Sequence, residues 1–359
     1  MTFAIAAAGT GGHVYPGLAV GEALVAAGVA RSDVLFIGGS RLEATAAPGA
    51  GFPFLEVELR GLQRRLTLAN AGIPGVVLRA VRAIGRELAA RNVAALLGMG
   101  GYVSVPAALA ARRRRLPYAL AEQNAGAGLA NRTMAGGARR VFGSFPHTHG
   151  LHRAEWVGNP IRQSLAAFDR SALRSPALDR WGFDPSRPVL GVFGGSLGAG
   201  ILNRSLIDLT GRWPGEPLQI LHLAGQGAAD LSEVARVSPH RWVVLDFCHD
   251  MESFYAACDL VVARAGGSVA ELTATATPSV LVPGGFGSGG HQAANAAALE
   301  SVGAAVTVPE DELGRLPHAV AELLADPSRR ATMAAACAHL AKPDAAATIA
   351  GALMEMARW

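Results

Sequence analysis

Two stretches of this chain share one design, and together they leave few folds open. Phe3-Ala4-Ile5-Ala6-Ala7 reads as a short buried strand that runs into Gly9-Thr10-Gly11-Gly12-His13. Beyond it, Leu18, Val20, Leu24 and Val25 mark one broad helix face. Val189-Leu190-Gly191-Val192-Phe193 is a second such strand, followed by Gly194-Gly195-Ser196-Leu197-Gly198-Ala199 and a helix from about Ile201. A strand, a glycine turn and a helix N-terminus make an anion site, because the first N–H groups have no intrahelical partner and the helix dipole favours negative charge. The plain alternative for either loop is a tight turn that binds nothing.

The rest of the chain alternates in the same way. Val34–Ile37, Phe54–Val57, Ala94–Leu97, Tyr118–Ala121, Arg140–Phe142 and Trp156-Val157 read as strands in the first half. Pro74–Ala90 reads as an amphipathic helix, with Val77, Leu78, Val81, Ile84 and Leu88 near one face. In the second half the strands are Leu218–Leu223, Trp242–Leu245, Leu260–Ala263, Ser279–Val282 and Ala305–Val308. Gly158–Arg162 reads as a turn, and the polar, proline-bearing stretch Asp169–Arg187 reads as a domain boundary. Pro343 precedes a last helix, Ala345–Met356, placed to cross back to the first domain. At 359 residues the chain exceeds what one core usually serves. The pattern predicts an α/β protein of two doubly wound domains facing a cleft.

Composition removes several function classes. Cys248, Cys258 and Cys337 have no CxxC spacing, so a reducing compartment and no disulfide framework are expected. Met1 leads directly into a strand, with no pattern of a secretory signal. Val93–Ala111 and Leu272–Leu299 contain no Asp, Glu, Lys or Arg, but glycines and prolines interrupt both, and no transmembrane helix is expected. His147, His149 and His152 lie close together in a polar stretch and suit a surface cluster better than a metal site. Neither glycine loop is followed by Gly-Lys-Ser/Thr, which argues against a nucleotide hydrolase. Asp33 and Glu43 lie only loosely where a dinucleotide-binding sheet carries its ribose-holding acid, which argues against hydride transfer.

Charge is unevenly spread. Between Arg60 and Arg115 the chain carries eleven arginines against one acid, Glu87. Lys342 is the only lysine. A compositional bias explains Arg over Lys, but clustering calls for an anionic partner.

Six motifs taken together resemble the MurG family of bacterial peptidoglycan N-acetylglucosaminyltransferases. They are Gly9–Ala19, Gly98–Ser104, Glu122-Gln123-Asn124, Gly158–Arg162, Gly194–Ala199 and His291-Gln292 with Asn295-Ala296. They occur in the family's order across nearly the whole chain. The resemblance implies a GT-B architecture with two Rossmann-like domains. Residues 1–161, completed by the C-terminal helix 344–359, would take the lipid acceptor and meet the membrane; residues 162–343 would bind UDP-GlcNAc.

The implied reaction is inverting transfer of GlcNAc from UDP-GlcNAc to the MurNAc 4-hydroxyl of undecaprenyl-diphospho-MurNAc-pentapeptide, lipid I, giving lipid II. Carried over, Ser196 and Arg162 hold the diphosphate, and the main chain at Cys248 reads uracil. Glu271 accepts the ribose hydroxyls and Gln292 holds the sugar. Gly267, Ser268 and Val269 add donor contacts, and Thr10, Gly11, Gly12 and Asn124 close over the donor. His13 is the candidate general base, since imidazole titrates near neutral pH; the competing role is to orient its loop. No metal or other cofactor is implied.

Arg64, Arg65, Arg79, Arg82, Arg86, Arg112, Arg113, Arg114 and Arg115 would ring an apolar contact made by Ile73, Val76, Val77 and Leu116. That arrangement would sit on the anionic inner leaflet, at the cytoplasmic face of the membrane, beside other cell-wall enzymes. Three positions depart from the family pattern. Ala121 stands where a histidine is usual, Arg264–Glu271 is one residue short, and Gly290 replaces an acid. The alternatives are another GT-B glycosyltransferase, a UDP-sugar epimerase, or a catalytically weakened cell-wall scaffold.

Overall fold

The computed structural model describes residues 1–59, 73–195, 200–213, 215–225, 228–285 and 290–358. The chain divides into two compact units, Met1–Arg162 with Lys342–Trp359, and Gln163–Ala341.

In the first unit, β1 (Thr2–Ala6) leads to α1 (Gly11–Ala26), β2 (Val34–Gly38) to α2 (Leu42–Gly49), and β3 (Phe54–Glu56) precedes α3 (Ile73–Ala90). Then come β4 (Val93–Gly98), α4 (Ser104–Arg113), β5 (Tyr118–Glu122), α5 (Leu129–Met134), β6 (Arg140–Gly143) and β7 (Glu155–Trp156). The strands form one parallel sheet in the order β3-β2-β1-β4-β5-β6-β7. Successive side chains on β1 point to opposite faces. Phe3, Ile5 and Ala7 pack with Val20 and Leu24 of α1, whereas Ala4, Ala6 and Ala8 share a core with Ala80, Val81, Ile84 and Leu88 of α3 and Ala107, Ala108 and Ala111 of α4. Burial on both faces is why these strands read as unbroken apolar runs.

The second unit contains α6 (Gln163–Ala166), α7 (Arg170–Trp181), β8 (Val189–Phe193), α8 (Gly200–Gly211), β9 (Gln219–Leu223), α9 (Ala228–Val237) and β10 (Arg241–Leu245). It continues with α10 (Met251–Ala257), β11 (Leu260–Ala263), α11 (Ser268–Ala274), β12 (Ser279–Leu281), α12 (His291–Glu300), β13 (Ala305–Thr307), α13 (Leu316–Ala325) and α14 (Pro327–Leu340). Its parallel sheet has the order β10-β9-β8-β11-β12-β13. Finally α15 (Ala345–Met356) returns to the first unit, where Ile349, Leu353 and Met356 join the core beneath α1.

Two expectations change. Most of the polar stretch Asp169–Arg187 is not a linker but α7, capped by the Asp169 carboxylate at its start and by Gly182 in the left-handed region (φ 64°) at its end. Its arginines are structural. Arg170 donates to the Tyr255, Cys258 and Thr275 carbonyls, and Arg174 to the Ala257 carbonyl and the Asp259 carboxylate. Burial lowers the Arg170 pKa, against the raising influence of Asp259. The second change concerns the apolar membrane contact. Val77 and Leu116 pack against the unit's own core, because Val77 continues the stripe of Val81, Ile84 and Leu88. Leu78 is the large apolar side chain that α3 exposes among the described residues.

Candidate active site

Each sheet has a switch point, where the order reverses between its first and fourth strands, and ligands of such sheets bind beyond the strand ends there. In the first unit that place is framed by the loops after β1, β4 and β5.

The β1 loop turns at Gly9 (φ 103°) and enters α1 with Thr10 at the N-cap position. The helix opens on Gly11, Gly12 and His13 with no acid in its first turn, so the dipole's positive end is not neutralised locally. Thr10 Oγ1 lies 3.2 Å from His13 Nδ1. The ring packs on the β4 loop at Gly100 (φ 87°), where an added Cβ would lie 3.2 Å from His13 Nε2 and 3.4 Å from Asn131 Nδ2. Glycine therefore brings His13 and Asn131 to one place.

Behind Asn131 lies Glu122, buried at the end of β5. One carboxylate oxygen accepts from the Asn124 backbone N–H (3.1 Å) and side-chain amide (2.9 Å), the other from the Gly128 N–H and Asn131 Nδ2, both at 2.9 Å. This fixes Asn124. Ala121, where the family pattern has a histidine, is buried in the core with Ala119 and Phe142.

Glu43 does not face outward as a ribose-holding acid would. It is 1% exposed and accepts from the Gly9 N–H (3.1 Å), the Gly39 N–H (3.0 Å) and the Tyr102 hydroxyl (3.3 Å). Burial, and then the Glu43 charge, push the Tyr102 phenol above its ordinary pKa. Asp33 lies 3.7 Å from the N-terminal ammonium instead.

In the second unit Ser196 falls outside the described residues. The remaining candidates gather around the ends of β10, β11 and β12. Cys248 is buried, with its thiol donating to the Asp250 carbonyl at 3.1 Å; the neighbouring Phe247 is exposed, its ring 4.7 Å from that of His249. Gly267 caps α11, and the Ser268 hydroxyl donates to the Arg264 carbonyl at 3.2 Å. Val269 is buried, so only its main chain is placed for a ligand. Glu271 Oε2 accepts from the Tyr255 hydroxyl at 2.9 Å. Gln292 Oε1 accepts from the Gly284 N–H at 2.8 Å, which turns its amide group away from that contact. Asn295, fully buried, donates to the Ala265 carbonyl at 3.0 Å. The Arg264 guanidinium meets Glu310 at 2.5 Å and the Val282 carbonyl at 3.1 Å. Burial pushes the Glu310 carboxyl up, but Arg264 and the Gly285 N–H outweigh it and hold the pKa low.

Arg162 is exposed at the last position of the first unit's main segment. Arg79, Arg82 and Arg86 are exposed on α3, and Arg112, Arg113, Arg114 and Arg115 are exposed at the end of α4, a helix that packs against α3. Arg114 is the C-cap residue of α4, its N–H donating back to the Ala110 and Ala111 carbonyls, and Arg115 follows in the left-handed region (φ 55°). The four arginines thus stand where the helix dipole's negative end favours positive charge, a local reason for their place there besides any anionic partner. Arg64 and Arg65 lie outside the described residues. His147, His149 and His152 are exposed, and among the described residues no group of three or more His, Cys, Asp or Glu is disposed to hold a metal. Asn131 and Tyr255 are residues that the motifs passed over, and Glu43 one they gave no role. Each reaches its site across many residues of chain, from a neighbouring strand or helix.

Family models for the glycosyltransferase family 28 N-terminal and C-terminal domains match residues 3–143 and 189–349. A curated relative from Halorhodospira halophila is 40% identical over 99% of this chain and 98% of its own length. Its name is UDP-N-acetylglucosamine--N-acetylmuramyl-(pentapeptide) pyrophosphoryl-undecaprenol N-acetylglucosamine transferase. This chain belongs to the MurG family. Among MurG structures, that of Acinetobacter baumannii superimposes with a TM-score of 0.79 at 26% identity, covering 99% of both chains. The GT-B architecture expected of a MurG family member is thus present, as two parallel-sheet Rossmann-like units. A UDP-GlcNAc 2-epimerase from Neisseria meningitidis shares the fold alone (TM-score 0.67, 12% identity, 99% of this chain and 100% of that one).

Proposed function

We propose that this protein transfers N-acetylglucosamine from UDP-GlcNAc to lipid I, forming lipid II for peptidoglycan. The observation that carries the reading is the near-full-length likeness to a relative named for that donor and that acceptor. The 4-hydroxyl of the acceptor's MurNAc attacks the anomeric carbon, the bond to the UDP oxygen breaks, and the hydroxyl proton leaves to a base. His13 is that base. The tautomer in which Nδ1–H donates to Thr10 Oγ1 leaves Nε2 with the lone pair that takes the proton.

On the donor side Glu271 holds the ribose, a task suited to a carboxylate with two acceptor oxygens, one already oriented by Tyr255. The Cys248 main chain reads the base, Gln292 holds the sugar, and Ser196 takes the diphosphate. Gly267, Ser268, Val269 and Arg162 complete the donor contacts, and Thr10, Gly11, Gly12 and Asn124 close over the donor from the acceptor side. The motifs ask for no metal; backbone N–H groups and helix N-termini stabilise the departing charge.

The exposed arginines of α3 and α4 bring the protein to an anionic membrane surface, each adding about 1 kcal/mol near it. Among the described residues no helix is long and apolar enough to cross a membrane. Replacing Arg112, Arg113, Arg114 and Arg115 together with Ser should weaken binding to anionic liposomes, as should added salt; unchanged binding on both counts would remove the membrane proposal. With UDP-GlcNAc alone, the protein should leave the sugar's stereochemistry intact. Appearance of the C2 epimer by NMR would favour the epimerase reading.

A further inference from the structure

Glu43 is a buried carboxylate whose partners among the described residues are all neutral donors. A leucine or methionine would fill its space without the cost of sequestering a charge. What an apolar side chain cannot do is accept from two backbone N–H groups, and here those groups belong to different loops: Gly9 after β1 and Gly39 after β2. The third donor, Tyr102, comes from the loop after β4. One side chain therefore ties together three strand ends beside the switch point.

Two of the three ties lead to His13. Gly9 is the turn that sets Thr10 at the head of α1, and the Thr10 hydroxyl touches the His13 ring. Tyr102 follows Gly100, on which that ring packs. We propose that Glu43 is a positioning residue for the transfer reaction: by holding the Gly9 amide and the Tyr102 hydroxyl at once, it sets where His13 stands toward the acceptor. The proposal rests on reading Gly9–His13 as the acceptor-side loop.

Glu43→Gln tests it with little change of volume. The amide keeps one acceptor oxygen, and its NH₂ group is left facing a backbone N–H, so either Gly9 or Gly39 loses its partner. In protein that still melts cooperatively, kcat/KM for a lipid I analogue should fall by about tenfold or more, while the Kd for UDP-GlcNAc stays within about twofold. An unchanged kcat/KM in folded Glu43→Gln would overturn the proposal. A loss confined to donor affinity would overturn the acceptor-side reading of the loop and, with it, the proposal. Hydrogen exchange on the unaltered protein gives a check that needs no variant. The Gly9 amide should be strongly protected, and exchange at the rate of an open loop would also overturn the proposal.

Discussion

The residues that carry the proposed chemistry are held by others that do not touch substrate. Glu271 shows this most simply, since its Oε2 is occupied by the Tyr255 hydroxyl. Tyr255→Phe should raise the KM for UDP-GlcNAc by up to about tenfold with little change in kcat, the effect of losing one hydrogen bond to a charged group. Glu271→Ala should raise it further, because the ribose hydroxyls then lose both acceptor oxygens. An unaltered KM in Glu271→Ala would mean that the ribose is held elsewhere. The family resemblance, carried over position by position, pointed to Glu271 and Gln292, and His13 stood out as an imidazole in the first glycine loop. Neither signal could reveal Glu43 as a loop-holder. Glu43 lies 34 residues from Gly9 and 59 from Tyr102, and only the sheet's strand order brings the three together.

At the scale of elements, the apolar runs gave away the strands because both faces of each sheet are covered, and α15 ends where its apolar pattern ends. α7 was hidden by Pro176 and by arginines that look solvated in sequence. They are instead drawn onto the carbonyls at the end of α10, contacts that the sequence cannot announce. β9 carries a further joint of this kind. His222 is fully buried, its Nε2 lies 3.1 Å from Asn203 Oδ1 on α8, and its ring stacks on Trp242 of β10 at 6.1 Å. Asn203 donates its amide to the Ala224 carbonyl, which makes Nε2 the protonated nitrogen of a neutral imidazole. Burial lowers the His222 pKa from 6.5 to about 4. The folded state thus resists a proton that the unfolded chain accepts. Stability should be complete above pH 6.5 and fall as pH drops from there toward about 4, by roughly 3 kcal/mol in all. Urea unfolding across that range should show the slope, and His222→Gln should flatten it. An equally steep slope in the variant would place the pH dependence in other groups.

For the whole molecule, the repeated strand, glycine loop and helix foretold two sheets of the same winding, and both have it. The two glycine loops nevertheless have different proposed work. The acid beside the first is turned inward onto its own backbone, which leaves that loop without the ribose ligand of a nucleotide site. In the second unit Glu271 supplies a carboxylate at the corresponding sheet end. Most donor contacts are therefore proposed in the second unit, and the first loop on the acceptor side of the reaction.

The most direct test is UDP release from UDP-GlcNAc by the full chain, with and without a soluble lipid I analogue. Release should depend on the analogue and yield a product heavier than the analogue by one N-acetylhexosamine residue. Release that ignores the analogue, or none in its presence by protein that binds UDP-GlcNAc, would contradict transfer to lipid I.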